Sequence, residues 1–191
     1  MLNRLNRNVI VIYLLCSALF VSSCVFSPLV TGELNGDIFT NEWTNITFEL
    51  PAGFRSASRD EFDSVRGHAT DFILMKGDYD TLISLTYIDV SAERYRNDTA
   101  EDYLNITKEQ LSNSQHRNYT FADGFEFKMI GDWEYTVMRT EFTYKENPAE
   151  IMYQDGCAYR FVNTMVVFIA VYSEEERISV DSFFASISAI Q

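Results

Sequence analysis

The chain has 191 residues, 47% hydrophobic and 15% aromatic, enough for a leader and one packed domain of about 150 residues. Its formal net charge is −13. A surface this acidic repels phosphate backbones and anionic headgroups, which excludes nucleic-acid binding and attachment to a membrane through a basic patch.

The first eight residues hold Arg4 and Arg7 and no acid, and Val9 to Val21 is an uncharged run of thirteen. A spanning helix needs about 20 apolar residues, so this run suits the h-region of a signal peptide. Val21-Ser22-Ser23-Cys24 follows. That order resembles the bacterial lipoprotein signal, in which an aliphatic residue and two small ones precede a cysteine. The resemblance implies cleavage after residue 23 and a thioether-linked diacylglyceryl group on Cys24. Two acyl chains suffice for stable anchoring at about 0.8 kcal/mol per buried methylene. The mature chain then carries 13 basic and 28 acidic residues, a balance of −15. An ordinary cleaved signal is the alternative, with Cys24 incidental or bonded to Cys157. Sequons at Asn45, Asn97, Asn105 and Asn118 keep a glycosylated, secreted eukaryotic protein open as another. With Cys24 lipidated and Cys16 removed, Cys157 is the one free thiol, expected to be a buried inert one among Tyr153, Tyr159 and Phe161.

Residues 24–38 read as a membrane-proximal tether and 39–191 as the domain. Ile46, Phe48 and Leu50 alternate with polar residues as a strand, ended by Pro51 and Gly53. Ser58 and Glu61 make a capping box for a helix of two turns that Gly67 closes. Asp71 to Lys76 and Leu82 to Val90 read as a hairpin across the Gly77–Thr81 loop. From Asp98 or Thr99 the period changes to 3.6, with Ala100, Tyr103, Leu104 and Leu111 on one helical face and Glu101 and Asp102 in the first turn. Four strands then follow between Tyr119 and Tyr172. The first alternates Phe121, Phe125, Phe127 and Met129. Trp133 to Tyr144 is the second, Ile151 to Val162 the third, and MVVFIAVY is an apolar central strand covered on both faces. Val180, Phe183, Phe184 and Ile187 then recur at i, i+3, i+4, i+7, an amphipathic helix that starts from Ser173 or Ser179. Strands joined by tight turns imply a mainly antiparallel sheet flanked by helices, an α+β fold with an α/β/α sandwich architecture.

Phe39-Thr40-Asn41, the run Ile46-Thr47-Phe48-Glu49-Leu50-Pro51-Ala52-Gly53-Phe54 and the capped Ser58-Arg59-Asp60-Glu61 resemble the PsbP-like fold. The resemblance runs over about residues 36 to 190 and is nearest to small lipoproteins of Gram-positive bacteria such as clostridia. Phe54 stands where that family often has Trp. The resemblance implies no catalytic residues, and members of the family elsewhere dock or assemble protein partners.

The residues themselves show no reaction motif: no G-x-S-x-G, no Gly-rich phosphate loop, no H-E-x-x-H and no C-x-x-C. His68 and Asp71 have an H-x-x-D spacing but do not share a face of the expected strand, and His116 is the only other histidine. The acids Asp60, Glu61 and Asp63, and Asp78 with Asp80, lack the spacing of an EF-hand loop and read as solvated. Glu174-Glu175-Glu176 suits a helix N-terminus. Trp43, Phe54, Trp133, Tyr135, Tyr144 and Tyr159 could line a groove, although cross-strand packing accounts for them. No cofactor or metal is expected. The reading is a non-enzymatic domain, lipid-anchored through Cys24 on the extracytoplasmic side of the cell membrane, that binds a protein or small ligand. The alternative is an extracytoplasmic hydrolase whose site forms no motif.

Overall fold

The structure, a computed structural model, describes residues 32–57, 70–77, 81–91 and 98–190. The leader with Cys24, the expected Ser58–Gly67 helix, His68, Asn97 and the acids at 60, 61, 63, 78 and 80 lie outside these residues.

Eleven strands are described, in two sheets. Three short ones, β1 (Glu33–Asn35), β2 (Ile38–Asn41) and β3 (Ile46–Glu49), form a small antiparallel meander. The main sheet contains β4 (Phe54–Ser56), β5 (Thr70–Lys76), β6 (Thr81–Asp89), β7 (Arg117–Phe121), β8 (Glu126–Ile130), β9 (Trp133–Tyr144), β10 (Asn147–Phe161) and β11 (Thr164–Tyr172). Its order is β4-β5-β6-β11-β10-β9-β7, with β8 on β9 beside β7, and every pairing is antiparallel. The apolar run at β11 is indeed a central strand, and all nine of its residues are buried. Residues covered on both faces lose the polar alternation of a half-solvated strand.

Each face of the main sheet has its own core. On one face, helix α1 (Ala100–Ser112) lays Leu104, Thr107 and Leu111 onto β10, β9 and β7. The close approach uses Gly156 of β10: a methyl there would meet Leu104 Cδ2 at 3.4 Å. Thr99 caps α1, and Asp102 returns its side chain to the Thr99 backbone, so a capping box forms one residue after Asp98. On the other face, Phe39, Ile46 and Phe48 of the small sheet meet Phe183 and Phe184 of helix α2 (Arg177–Ser186) over Phe72, Tyr135 and Phe168. Ile187 lies just past the end of α2 and is still buried. Ser173 begins a 3-10 turn at Glu174–Glu176 that leads into α2, and its side chain makes no cap bond. A main sheet between α1 on one side and α2 with the meander on the other is the expected α+β sandwich.

Several boundaries differ from the sequence reading. The first strand after α1 is two, because the chain breaks at Ala122–Phe125 and both halves pair with β9. β10 begins at Asn147 rather than Ile151, and a register irregularity between these residues absorbs Pro148. Glu33–Asn35, inside the stretch read as tether, pairs with β2.

Candidate interaction face

Strand β8 is short and one-sided. Ile130 is fully buried in the α2-side core, and Lys128, on the same face, reaches Asp181 of α2 at 3.0 Å with its ammonium 4.9 Å from the centre of the Phe184 ring. Alternation along the strand must then turn Phe127 and Met129 to the opposite face. Helix α1 covers β10, β9 and β7 on that face, and Phe127 and Met129 remain 61% and 57% exposed. Phe125, half-buried, joins them to the α1-side core, and Lys108 of α1 sits over the Phe121 ring at 5.2 Å. The outer edge of β8 has no strand beside it among the described residues. Glu134 lies directly across the ladder from Met129, and Asp132 occupies the turn between them. Both acids are exposed, as is Asp123 in the preceding connection. An open strand edge next to two large apolar side chains can take up an extended segment by main-chain pairing, with the side chains giving grip.

Behind this edge, on the α2 side, runs a row of charges. Arg139 of β9 pairs with Glu126 at 3.0 Å, and buried Asp155 of β10 accepts from the Tyr172 hydroxyl at 3.0 Å. Burial pushes the Asp155 carboxyl above its ordinary range, against the opposing pull of Arg139 and the Tyr172 hydrogen bond. Tyr172 in turn stacks on Tyr153, and Arg177 lies over the outer ring at 4.4 Å. Of these groups, Arg177 ties the start of α2 to the sheet.

A second buried polar cluster locks the small sheet to the large one. Asn41 Nδ2 donates to Asp71 Oδ2 at 2.7 Å and to the Tyr87 hydroxyl at 2.8 Å, and Tyr87 donates to the same carboxylate at 2.7 Å. Gly32 N donates to Asp71 Oδ1, and Thr44 N to Asn41 Oδ1. Desolvation, reinforced by the Asp71 charge, drives the Tyr87 phenol far above its ordinary value, so it remains a donor. Asp71 is thus bound within the fold. Its three partners were not legible from the sequence, being 39, 30 and 16 residues away.

The remaining residues singled out in the sequence have packing roles. Cys157 is free, 1% exposed, and burial raises its thiol far from the range of a nucleophile. Trp43 packs edge-on to Tyr87 and Phe161, Trp133 stacks on Tyr159, and Tyr135 contacts Tyr159 and Phe168. Phe161 joins Trp43 to Trp133, so Trp43, Trp133, Tyr135 and Tyr159 form one cluster on the α2-side core, whereas Tyr144 packs on Phe142 and Phe54 lies under Lys76. His116 is exposed on the turn before β7. Of the sequons, Asn105 and Asn118 are exposed, and Asn45 is half-buried with its Oδ1 accepting from Ile190 N at 3.2 Å. No trio of His, Cys, Asp or Glu among the described residues is placed to hold a metal.

No family model and no curated protein matches the chain. Solved structures do. The solution structure of cyanobacterial PsbP (CyanoP) from Synechocystis superposes with a TM-score of 0.55 at 12% identity, covering 89% of this chain and 99% of that one. A variant of the protein Mog1 superposes with a TM-score of 0.50 at 10% identity, covering 83% of this chain and 97% of that one. At such identities the likeness is one of fold. The fold is PsbP/Mog1-like, as the leucine-proline-glycine stretch around Pro51 and the strand-helix order led one to expect.

Proposed function

We propose that this protein is a non-enzymatic docking domain, held at the outer side of a bacterial cell membrane by acyl chains on Cys24, that captures an extended segment of a protein partner along β8. The observation that carries the docking reading is the β8 edge: one strand, unpaired on its outer side among the described residues, with Phe127 and Met129 exposed together. Large apolar side chains scattered singly over a surface need no explanation, but two on an open strand edge are an aggregation hazard that a monomer without a partner would blunt. The exposed acids Asp123, Asp132 and Glu134 around them favour a partner segment that is basic as well as apolar. The resemblance of Val21-Ser22-Ser23-Cys24 to a lipoprotein signal supports the anchor, on which the domain would sit within a short tether of the bilayer.

The test is site-specific photo-crosslinking in cells. A photoreactive residue at position 127 is expected to yield one discrete adduct with a partner protein. The same residue at Ile178, which is 79% exposed on α2, is expected to yield none. Adducts that are absent at 127, or identical at the two positions, would contradict docking at β8.

A further inference from the structure

Arg117 opens β7 and is 2% exposed, yet no carboxylate pairs with it among the described residues. Its charge lies against two rings, 4.4 Å from the Phe142 centroid and 5.2 Å from that of Tyr144. Nη1 donates to the Tyr119 hydroxyl at 3.1 Å, and that hydroxyl donates onward to Gln154 Oε1 at 3.4 Å. The main chain at Gln154 is fixed in turn through its backbone carbonyl, which accepts from Thr140 Oγ1 at 2.7 Å. The guanidinium is therefore oriented, but Nε and Nη2 have no hydrogen-bond partner among the described residues. These two nitrogens form one edge of the group, the edge that offers parallel N–H donors to a carboxylate. Ring faces attract the charge without accepting those in-plane donors as a carboxylate would. An unpaired buried cation is costly, and a buried charge is ordinarily paired and hydrogen-bonded.

We propose that the Nε–Nη2 edge of Arg117 is a binding site for a small monocarboxylate, separate from the β8 edge. A monoanion matches the single charge of Arg117. A dianion would bury an uncompensated charge beside Phe142 and Tyr144 and would be repelled by a protein of formal net charge −13. The ligand enters past the turn Asn113–His116, which joins α1 to β7 and is mostly exposed. Three hydrogen bonds close that turn, from Arg117 N to Ser114 Oγ, from Lys145 N to the His116 carbonyl and from Lys145 Nζ to the Ser114 carbonyl. They are the contacts that loosen to admit it.

The test is a titration of the purified full-length protein with acetate, propionate and benzoate, against chloride and sulfate at equal ionic strength. It is followed at the Arg117 Nε–Hε resonance and by thermal melting. The expected result is a saturable shift of that resonance and a higher Tm with a carboxylate, neither of which chloride or sulfate gives. Arg117→Lys keeps the charge and loses the two-donor edge, so its affinity should fall by at least about tenfold. If that variant does not fold, the wild-type resonance decides alone. A resonance that no carboxylate moves, or that chloride and sulfate move equally, means that the edge is satisfied by water, and the proposal fails.

Discussion

At the scale of single residues, the groups that matter most are polar ones inside strands that periodicity reads as apolar. Asp155 sits between Gln154 and Gly156 in a buried stretch of β10, and neither its burial nor its contact with Tyr172 follows from a local pattern. Its carboxyl is raised in the folded state, so the native protein binds this proton more tightly than the unfolded chain does. The stability that the group contributes is therefore complete below the ordinary carboxyl range and is lost as pH rises through the raised value. Asp155→Asn keeps an acceptor for Tyr172 and removes the buried charge. Urea unfolding from acid to neutral pH should show the variant matching wild type in acid and gaining on it as pH rises. A wild type that gains on the variant over the same range would reverse the assignment. Arg117 was equally illegible: at the junction of a polar turn and a strand it looks like a solvated cation, and only the pairing of β7 with β9, which sets it opposite Tyr144, buries it.

At the scale of elements, legibility followed length. The nine residues of β11, the twelve of β9 and the thirteen of α1 each contain enough repeats of one period to be read directly. β1, β2 and β4 have three or four residues each, too few for a period to emerge: β2 is held by burying Phe39 in the α2-side core, β4 by pairing with β5, and β1 only by pairing with β2. The division of β7 from β8 was hidden because Phe121, Phe125, Phe127 and Met129 keep the same parity across the break at Ala122–Phe125. Helix α2 was legible through its apolar spacing, and its packing has a direct test. Phe184 is 1% exposed and meets Phe168 edge-on at 5.7 Å. Phe184→Asp forfeits that packing and buries a charge, with an expected loss of about 3–5 kcal/mol in chemical denaturation. Lys128, 4.9 Å from the ring centre, would recover a part of this by pairing with the new carboxylate. Unfolding indistinguishable from wild type would mean that α2 does not seal this face.

At the scale of the whole molecule, the fold and the address come from different parts of the chain. The PsbP/Mog1-like sandwich lies within residues 32–190, whereas the proposed membrane location rests on the leader and one thiol. Arg4, Arg7, the thirteen-residue uncharged run and Val21-Ser22-Ser23-Cys24 resemble a signal that processing enzymes read in the unfolded chain, which is why the proposed anchor can be argued from the sequence alone. Under the proposed function, a docking domain on a short lipid tether would meet its partner at high effective concentration, so a modest strand-edge interface would be enough. The measurement that bears most directly on this account is incorporation of labelled palmitate in a bacterial host, with mass analysis of the mature N-terminus. Wild-type protein should carry the label and begin at an acylated Cys24. Cys24→Ser should carry none and accumulate as uncut precursor, while Cys157→Ser should process normally. Unlabelled wild-type protein that begins at another residue would contradict the lipid anchor and the membrane location that depends on it.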